Sequence, residues 1–175
     1  LFNFIKKLNI MAKITLRGNV INTSGDLPAK GSKAPAFKLV KSDLGALTLD
    51  ELLGKKVILN ISPSLDTGVC ATAVRKFNQM AADKTNTVVL AITKDLPFAH
   101  GRFCTTEGIT NVTTLSGFRD DYFGKAYGVE IIDGPFEGLY ARSVVVLDEN
   151  GFVKYTELVP ETVNEPDYEK ALAAL

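Results

Sequence analysis

Two cysteines, one histidine and a short run of small residues hold most of the reactive chemistry in this chain. Cys70 stands three residues after Thr67 and seven after Pro63, in the run Ser62-Pro63-Ser64-Leu65-Asp66-Thr67-Gly68-Val69-Cys70. The thiolate is the reactive form of a cysteine, and unpaired amide N–H groups with the positive end of a helix dipole favour it. Holding a thiol as its anion at neutral pH, from an ordinary pKa of about 8.5 to one of about 6, takes roughly 3.4 kcal/mol. A helix dipole supplies about 0.3 to 1 kcal/mol, or about 2 in a sheltered geometry. A hydrogen bond to a charged group supplies about 1.5 to 3 kcal/mol, so one arginine near the sulfur closes the difference.

Two plainer readings compete. A free cysteine is among the most buried of residues and can be inert filler, but filler has no need of a proline and a threonine at these spacings. A dithiol redox site places its second thiol one turn along the helix, as Cys-x-x-Cys, and here that position is Ala73. The other thiol is Cys104, 34 residues on, four residues after His100. His100 and Cys104 could share a helix face as a nucleophile pair or as metal ligands, yet two ligands are too few for a structural zinc site. The expectation for His100 is a solvent-facing or modestly modulating side chain.

The elements that must position Cys70 are legible in the pattern around it. Val57 to Ile61 is a β-branched apolar run, read as a buried strand; Pro63 and Gly68 break it; helical spacing resumes at Val74 and Phe77. Cys70 therefore falls in the first turn of a helix, with Thr67 as its N-cap. Thr87 to Ile92 reads as a second buried strand, and Asp95-Leu96-Pro97 as the start of a helix that carries His100, Phe103 and Cys104 and ends at Gly108. Val112 to Leu115 is a short strand, followed by a helix through Phe123 to Tyr127 capped at Gly128. Ser143 to Asp148 and Phe152 to Thr156 form a hairpin around Asn150-Gly151, and a last helix follows Pro166.

Towards the N-terminus, Lys13 to Asn22 alternates apolar and polar residues before the turn cluster Thr23 to Asp26, and reads as a β-hairpin. Lys33 to Leu39 is an extended segment whose Pro35 excludes it from the middle of a sheet, and Leu47 to Leu53 is one helical turn stopped at Gly54. Residues 1–10 are expected to be a disordered extension, or, as the sharper alternative, an amphipathic anchor with Phe2, Phe4, Ile5 and Leu8 on one side. Residues 11–175 are expected to form one domain. Alternating strands and helices closed by an antiparallel pair give an α/β class: a thioredoxin-like fold, with a mixed central sheet flanked by helices and an added N-terminal hairpin.

Twenty basic and twenty acidic residues balance, which leaves no basic field for nucleic acid and no acidic tail. No apolar run reaches the roughly 18 residues of a membrane span, and two cysteines in 175 residues are no disulfide scaffold. A soluble, cytoplasmic protein is expected.

Pro63-x-x-x-Thr67-x-x-Cys70 resembles the active-site signature of the peroxiredoxins. Together with Arg102-Phe103-Cys104 and Ala141-Arg142-Ser143 before an apolar strand, it is similar to the bacterial thiol peroxidases, the atypical two-cysteine type, over nearly everything from Met11 to Leu175. The resemblance implies reduction of hydrogen peroxide or alkyl hydroperoxides, with Cys70 oxidised to a sulfenic acid and Cys104 resolving it as an intramolecular disulfide. Thr67 would donate to the peroxide or thiolate, Arg142 would supply the positive charge, and Pro63 would shield the sulfur. Thioredoxin would be the reductant, without metal or cofactor. The family also implies a homodimer, for which apolar residues of the Phe136 to Tyr140 loop are the expected contact. A second class remains open on the same fold: a peroxide-responsive sensor or holdase in which oxidation of Cys70 remodels a binding surface.

Overall fold

The computed structural model describes residues 11–175, so the expectations for residues 1–10 lie outside the described residues. Strands β1 (Lys13–Leu16) and β2 (Asn19–Asn22) form the expected hairpin as a separate two-stranded sheet. Its reversal lies at Arg17-Gly18, both with positive φ (52° and 80°), and not at the Thr23 to Asp26 cluster, which only leads the chain away. Two consecutive left-handed residues match the twist of a two-residue hairpin.

β3 (Lys38–Lys41) and β4 (Ala46–Thr48) are an antiparallel pair that sequence patterning did not assign to the sheet. They extend it at one edge, and Pro35 precedes β3, which is compatible with its missing amide donor. The expected turn of helix shrinks to a single 3-10 turn, Asp50–Leu52. β5 (Lys56–Ile61) leads into α1 (Gly68–Ala81), β6 (Thr87–Thr93) into α2 (Pro97–Glu107), and β7 (Val112–Ser116) into α3 (Phe123–Ala126). β8 (Ser143–Leu147), β9 (Val153–Leu158) and α4 (Tyr168–Ala173) complete the chain.

The main sheet has the order β4-β3-β7-β6-β5-β8-β9, with β5, β6 and β7 parallel and the others antiparallel to their neighbours. Alternation sorts its side chains into two cores. Leu59, Ile61, Leu90, Ile92, Val145 and Leu147 face a layer made by Phe37, Leu52, Phe123, Tyr127 and Tyr140. Ile58, Val89, Ala91, Val144 and Val146 face α1 and α4, where Cys70, Val74, Phe77 and Ala171 pack. With both faces covered, strands such as β5 need continuous apolar runs. Among the described residues no helix is long and apolar enough to cross a membrane.

The small N-terminal sheet is fastened to the segment after β9. Thr15 N–H donates to the Pro160 carbonyl at 2.7 Å, and Thr162 N–H to that of Thr15 at 2.8 Å. Between them the Glu161 carboxylate accepts from the amides of Gly18 and Arg17 (both 2.9 Å) and from the Thr15 hydroxyl (2.8 Å). These donors, led by the Gly18 amide, draw the Glu161 carboxyl down from 4.5 to about 2. A folded-state value below the unfolded one contributes stability that is present above about 4.5 and is lost as pH falls through about 2. Glu161→Gln is expected to remove that acid-sensitive component and to accelerate hydrogen exchange at the Arg17 and Gly18 amides. Identical acid melting curves and exchange rates in the two proteins would show that Glu161 does not hold the hairpin.

Candidate active site

Cys70 is the third residue of α1, fully buried, on the helix face that packs against β5 and β6. The first intrahelical bond is Ala71 N–H to Thr67 C=O, at 3.0 Å, so the amides of Gly68, Val69 and Cys70 precede the ladder and point out of the helix start. Thr67 has the extended backbone of an N-cap, but its hydroxyl makes no capping bond. That part of the expectation is corrected. The Thr67 hydroxyl lies 2.8 Å from the Cys70 sulfur and 2.9 Å from the Ser64 carbonyl.

One hydroxyl proton cannot serve both acceptors at once. With a thiol, S–H donates to the Thr67 oxygen while the hydroxyl donates to Ser64; with a thiolate, the hydroxyl turns to the sulfur. Thr67 is thus a two-position donor whose orientation follows the charge on Cys70.

Arg142 comes from the residue before β8 and is 2% exposed. Its Nη2 donates to the Cys70 sulfur at 3.4 Å and its Nε to the Thr162 carbonyl at 3.0 Å. Nη1 has no protein partner, and neither does the Thr162 hydroxyl, itself buried. Both residues line a cleft of about 600 Å³, together with Thr67, Gly68 and Val69 of the helix start and with Leu16, Ile21 and Phe136. The cleft is mostly apolar, and its unpartnered polar atoms sit beside the sulfur's own partners.

The structure therefore brings together Cys70, Thr67 and Arg142. Pro63 is buried in the loop between β5 and α1, and its side chain has no donor or acid to add. Cys104 lies in the last turn of α2, half-buried against the same apolar cluster as Cys70, with its sulfur 3.8 Å from the Thr114 hydroxyl. Both cysteines are free. Burial pushes the Cys104 thiol up from its ordinary value, with the Thr114 contact opposing, so at neutral pH Cys104 rests as a thiol.

His100 overturns its expectation. It is fully buried, its Nε2 lies 2.8 Å from the Thr93 hydroxyl, and its Nδ1 has no partner. Burial depresses the imidazole below 6.5, against the pull of Asp95. In the loop expected as a dimer contact, Tyr140 is fully buried against Gly117 and Gly124, while Phe136 packs half-buried beside Ile14 and Ile21. Thr162 and the hairpin residues Leu16 and Ile21 were not foreseen as site residues. The only sequence signal for them was the apolar alternation of the hairpin, which does not say what its outer face covers.

Comparison with known proteins agrees with this geometry. Residues 29–172 match the family described as Redoxin. The chain is 59% identical to the thiol peroxidase of Mycobacterium tuberculosis and 55% identical to that of Corynebacterium glutamicum, each over 94% of this chain and 99% of the relative. A solved peroxiredoxin-like protein from Aquifex aeolicus superposes with a TM-score of 0.87 at 36% identity, covering 94% of this chain and 99% of that one. A helix-start cysteine facing a buried arginine, on a sheet of this order, and full-length identity at this level lead to one placement: the chain belongs to the redoxin family, among its thiol peroxidases.

Proposed function

We propose that this protein is a thiol-dependent peroxidase acting on hydrogen peroxide and organic hydroperoxides, with Cys70 as the attacking sulfur and Cys104 as the resolving one. The observation that carries the reading is the pair of cationic and hydroxyl donors, Arg142 and Thr67, on a buried sulfur beside an open apolar cleft. The Cys70 thiolate attacks the terminal oxygen of the hydroperoxide. The O–O bond breaks, the sulfur becomes a sulfenic acid, and the departing alkoxide or hydroxide takes up a proton as alcohol or water. Negative charge grows on the departing oxygen, so donors fixed before the reaction act on the transition state more than on the bound peroxide. Arg142 Nη1, buried and unpartnered, is available to that oxygen.

Cys104 then attacks the sulfenic sulfur, expels water and leaves a Cys70–Cys104 disulfide. The bridge requires Cα atoms within about 7 Å, and the two sulfurs start in the first turn of α1 and the last turn of α2. Local unwinding of these turns, with the sheet intact, is the proposed route. A dithiol protein, thioredoxin in this proposal, returns both cysteines to thiols and is itself oxidised. The family likeness also supports a homodimer, which sedimentation at micromolar concentration would test.

Cys70→Ser is expected to abolish peroxide consumption, whereas Cys104→Ser should consume one equivalent and stop at the sulfenic acid. Equal loss of the first oxidation in both variants would sink the assignment of roles. Sustained turnover with a thioredoxin system marks an enzyme, while a single oxidation without turnover would favour the sensor or holdase reading. Arg142→Ala and Thr67→Val should each lower the second-order rate with peroxide. Arg142→Ala should lose about ten- to a hundredfold, the equivalent of one charge-assisted hydrogen bond, and Thr67→Ser should retain most of the rate. A Thr67→Val protein as fast as the parent would remove the hydroxyl from the reaction.

A further inference from the structure

Asp95 occupies the turn between β6 and α2, and its carboxylate bonds the loop that precedes α1 and, through Thr93, connects to His100 of α2. One oxygen accepts from the Ser64 hydroxyl at 2.7 Å; the other accepts from the Leu65 amide at 2.7 Å and the Thr93 hydroxyl at 2.8 Å. Ser64 and Leu65 belong to the loop that leads into α1 and so to Cys70, and the Ser64 carbonyl is the second acceptor of Thr67. On the other side the connection runs into α2. A carboxylate only accepts, so the single Thr93 proton must go to Asp95. The Thr93 oxygen then accepts from the Asp95 amide at 3.0 Å and from His100 Nε2 at 2.8 Å. That fixes the neutral tautomer of His100 with its proton on Nε2 and a bare Nδ1, which matches the absence of any partner at Nδ1. Asp95 Oδ2 also lies 3.9 Å from Nε2.

The far end of α2 is held differently. Arg75 of α1 grips Glu107 through two hydrogen bonds of 2.7 and 2.9 Å, and Asn78 accepts from the amides of Thr110 and Asn111. These partners are solvent-exposed or partly so, with 44% of the Arg75 side chain accessible. Exposed ion pairs hold weakly, while hydrogen bonds to a carboxylate only 16% exposed are screened less and hold more firmly. Cys104 sits between the two fastenings, three residues from Glu107 and four from His100.

We propose that Asp95 is a positioning residue for this reaction: through Ser64, Thr93 and His100 it ties the Cys70 loop to the first turns of α2, so that α2 yields from its Glu107 end and swings Cys104 about a fixed His100. The inference rests on the assignment of Cys70 and Cys104 given above. With the anchor closed, Cys104 stays near the sulfenic acid as its own turn unwinds. Without it, the whole helix is released and the effective concentration of Cys104 at Cys70 falls.

Rapid mixing of the full chain with hydrogen peroxide separates the two steps, sulfenic acid formation and disulfide closure. His100→Leu, which removes the bond from α2 to Thr93 and leaves the Asp95 amide as the hydroxyl's remaining donor, is expected to slow closure about two- to tenfold, with sulfenic acid formation unchanged and sulfinic acid accumulating at high peroxide. His100→Gln, whose amide can donate to Thr93, should restore closure. Arg75→Gln, at an exposed position, should speed closure about twofold. Asp95→Asn should slow both steps, because it loosens the Cys70 loop as well. A general structural role would lower the melting temperature of His100→Leu without changing the ratio of the two rates. Closure in His100→Leu as fast as in the parent, failure of glutamine to rescue, or slower closure in Arg75→Gln would each overturn the proposal. If the parent itself forms no intramolecular disulfide, the role of Cys104 fails first and the anchor with it, an outcome read before any variant is made.

Discussion

A buried guanidinium facing a buried sulfur is the constraint on which the site depends. Arg142 is 2% exposed and Cys70 fully buried, and a charge taken out of water is tolerated only with a partner and saturated hydrogen bonds. Arg142 receives one fixed acceptor, the Thr162 carbonyl, and one conditional partner, the Cys70 sulfur. Its remaining nitrogen is left without a protein acceptor. Such an arrangement is costly with a neutral thiol and far less so with an anion opposite it. A residue 72 positions along the chain from Cys70 is thereby brought against its sulfur.

Holding Arg142 requires more than β8. The Thr162 carbonyl is placed by the strand-like segment after β9, and that segment is bonded to β1 through Thr15, Pro160 and Glu161. The N-terminal hairpin consequently does two things with one set of contacts. It steadies the acceptor of Arg142, and its Leu16 and Ile21 side chains line the same cleft as Thr67. In an otherwise thioredoxin-like sheet, the added hairpin is what converts an open helix start into a lined, mostly apolar approach to the sulfur.

The sequence was informative where local rules act alone. A β-branched run broken by Pro63 and Gly68 placed Cys70 at a helix start, Pro97 and Gly108 bounded α2 by their backbone preferences, and Asn150-Gly151 marked the β8–β9 reversal. Each of these is set by neighbours within a few residues. What escaped is set by distant partners. β3 and β4 join the sheet only because β3 pairs with β7, some 75 residues away, and their short polar-flanked pattern does not announce it. His100 was expected to be solvent-facing or modestly modulating, because its nearest reactive neighbour in sequence is Cys104 and two ligands are too few for a structural metal site. Its burial is made tolerable by Thr93 and Asp95, whose hydroxyl and carboxylate meet it across the turn from β6. Thr67 shows the limit most clearly: the N-cap position was readable, but whether the hydroxyl serves the helix amides or the sulfur depends on the three-dimensional placement of Cys70.

In the proposed cycle the same packing that protects the sulfur makes its disulfide easy to reduce. Bridging Cys70 and Cys104 would stabilise the chain by about 4 kcal/mol against a random reduced coil, but that entropy is counted from the unfolded state and does nothing for a folded protein that must unwind turns of α1 and α2 to close. The order lost there is regained when the disulfide is reduced. It therefore raises the reduction potential, by about 30 mV for each 1.4 kcal/mol of lost helix packing. A disulfide formed without distortion would be a structural bond, resistant to a dithiol protein. One formed at the expense of the Thr67 and Arg142 contacts on Cys70 is poised to open again, and its reduction rebuilds the site that the next peroxide meets.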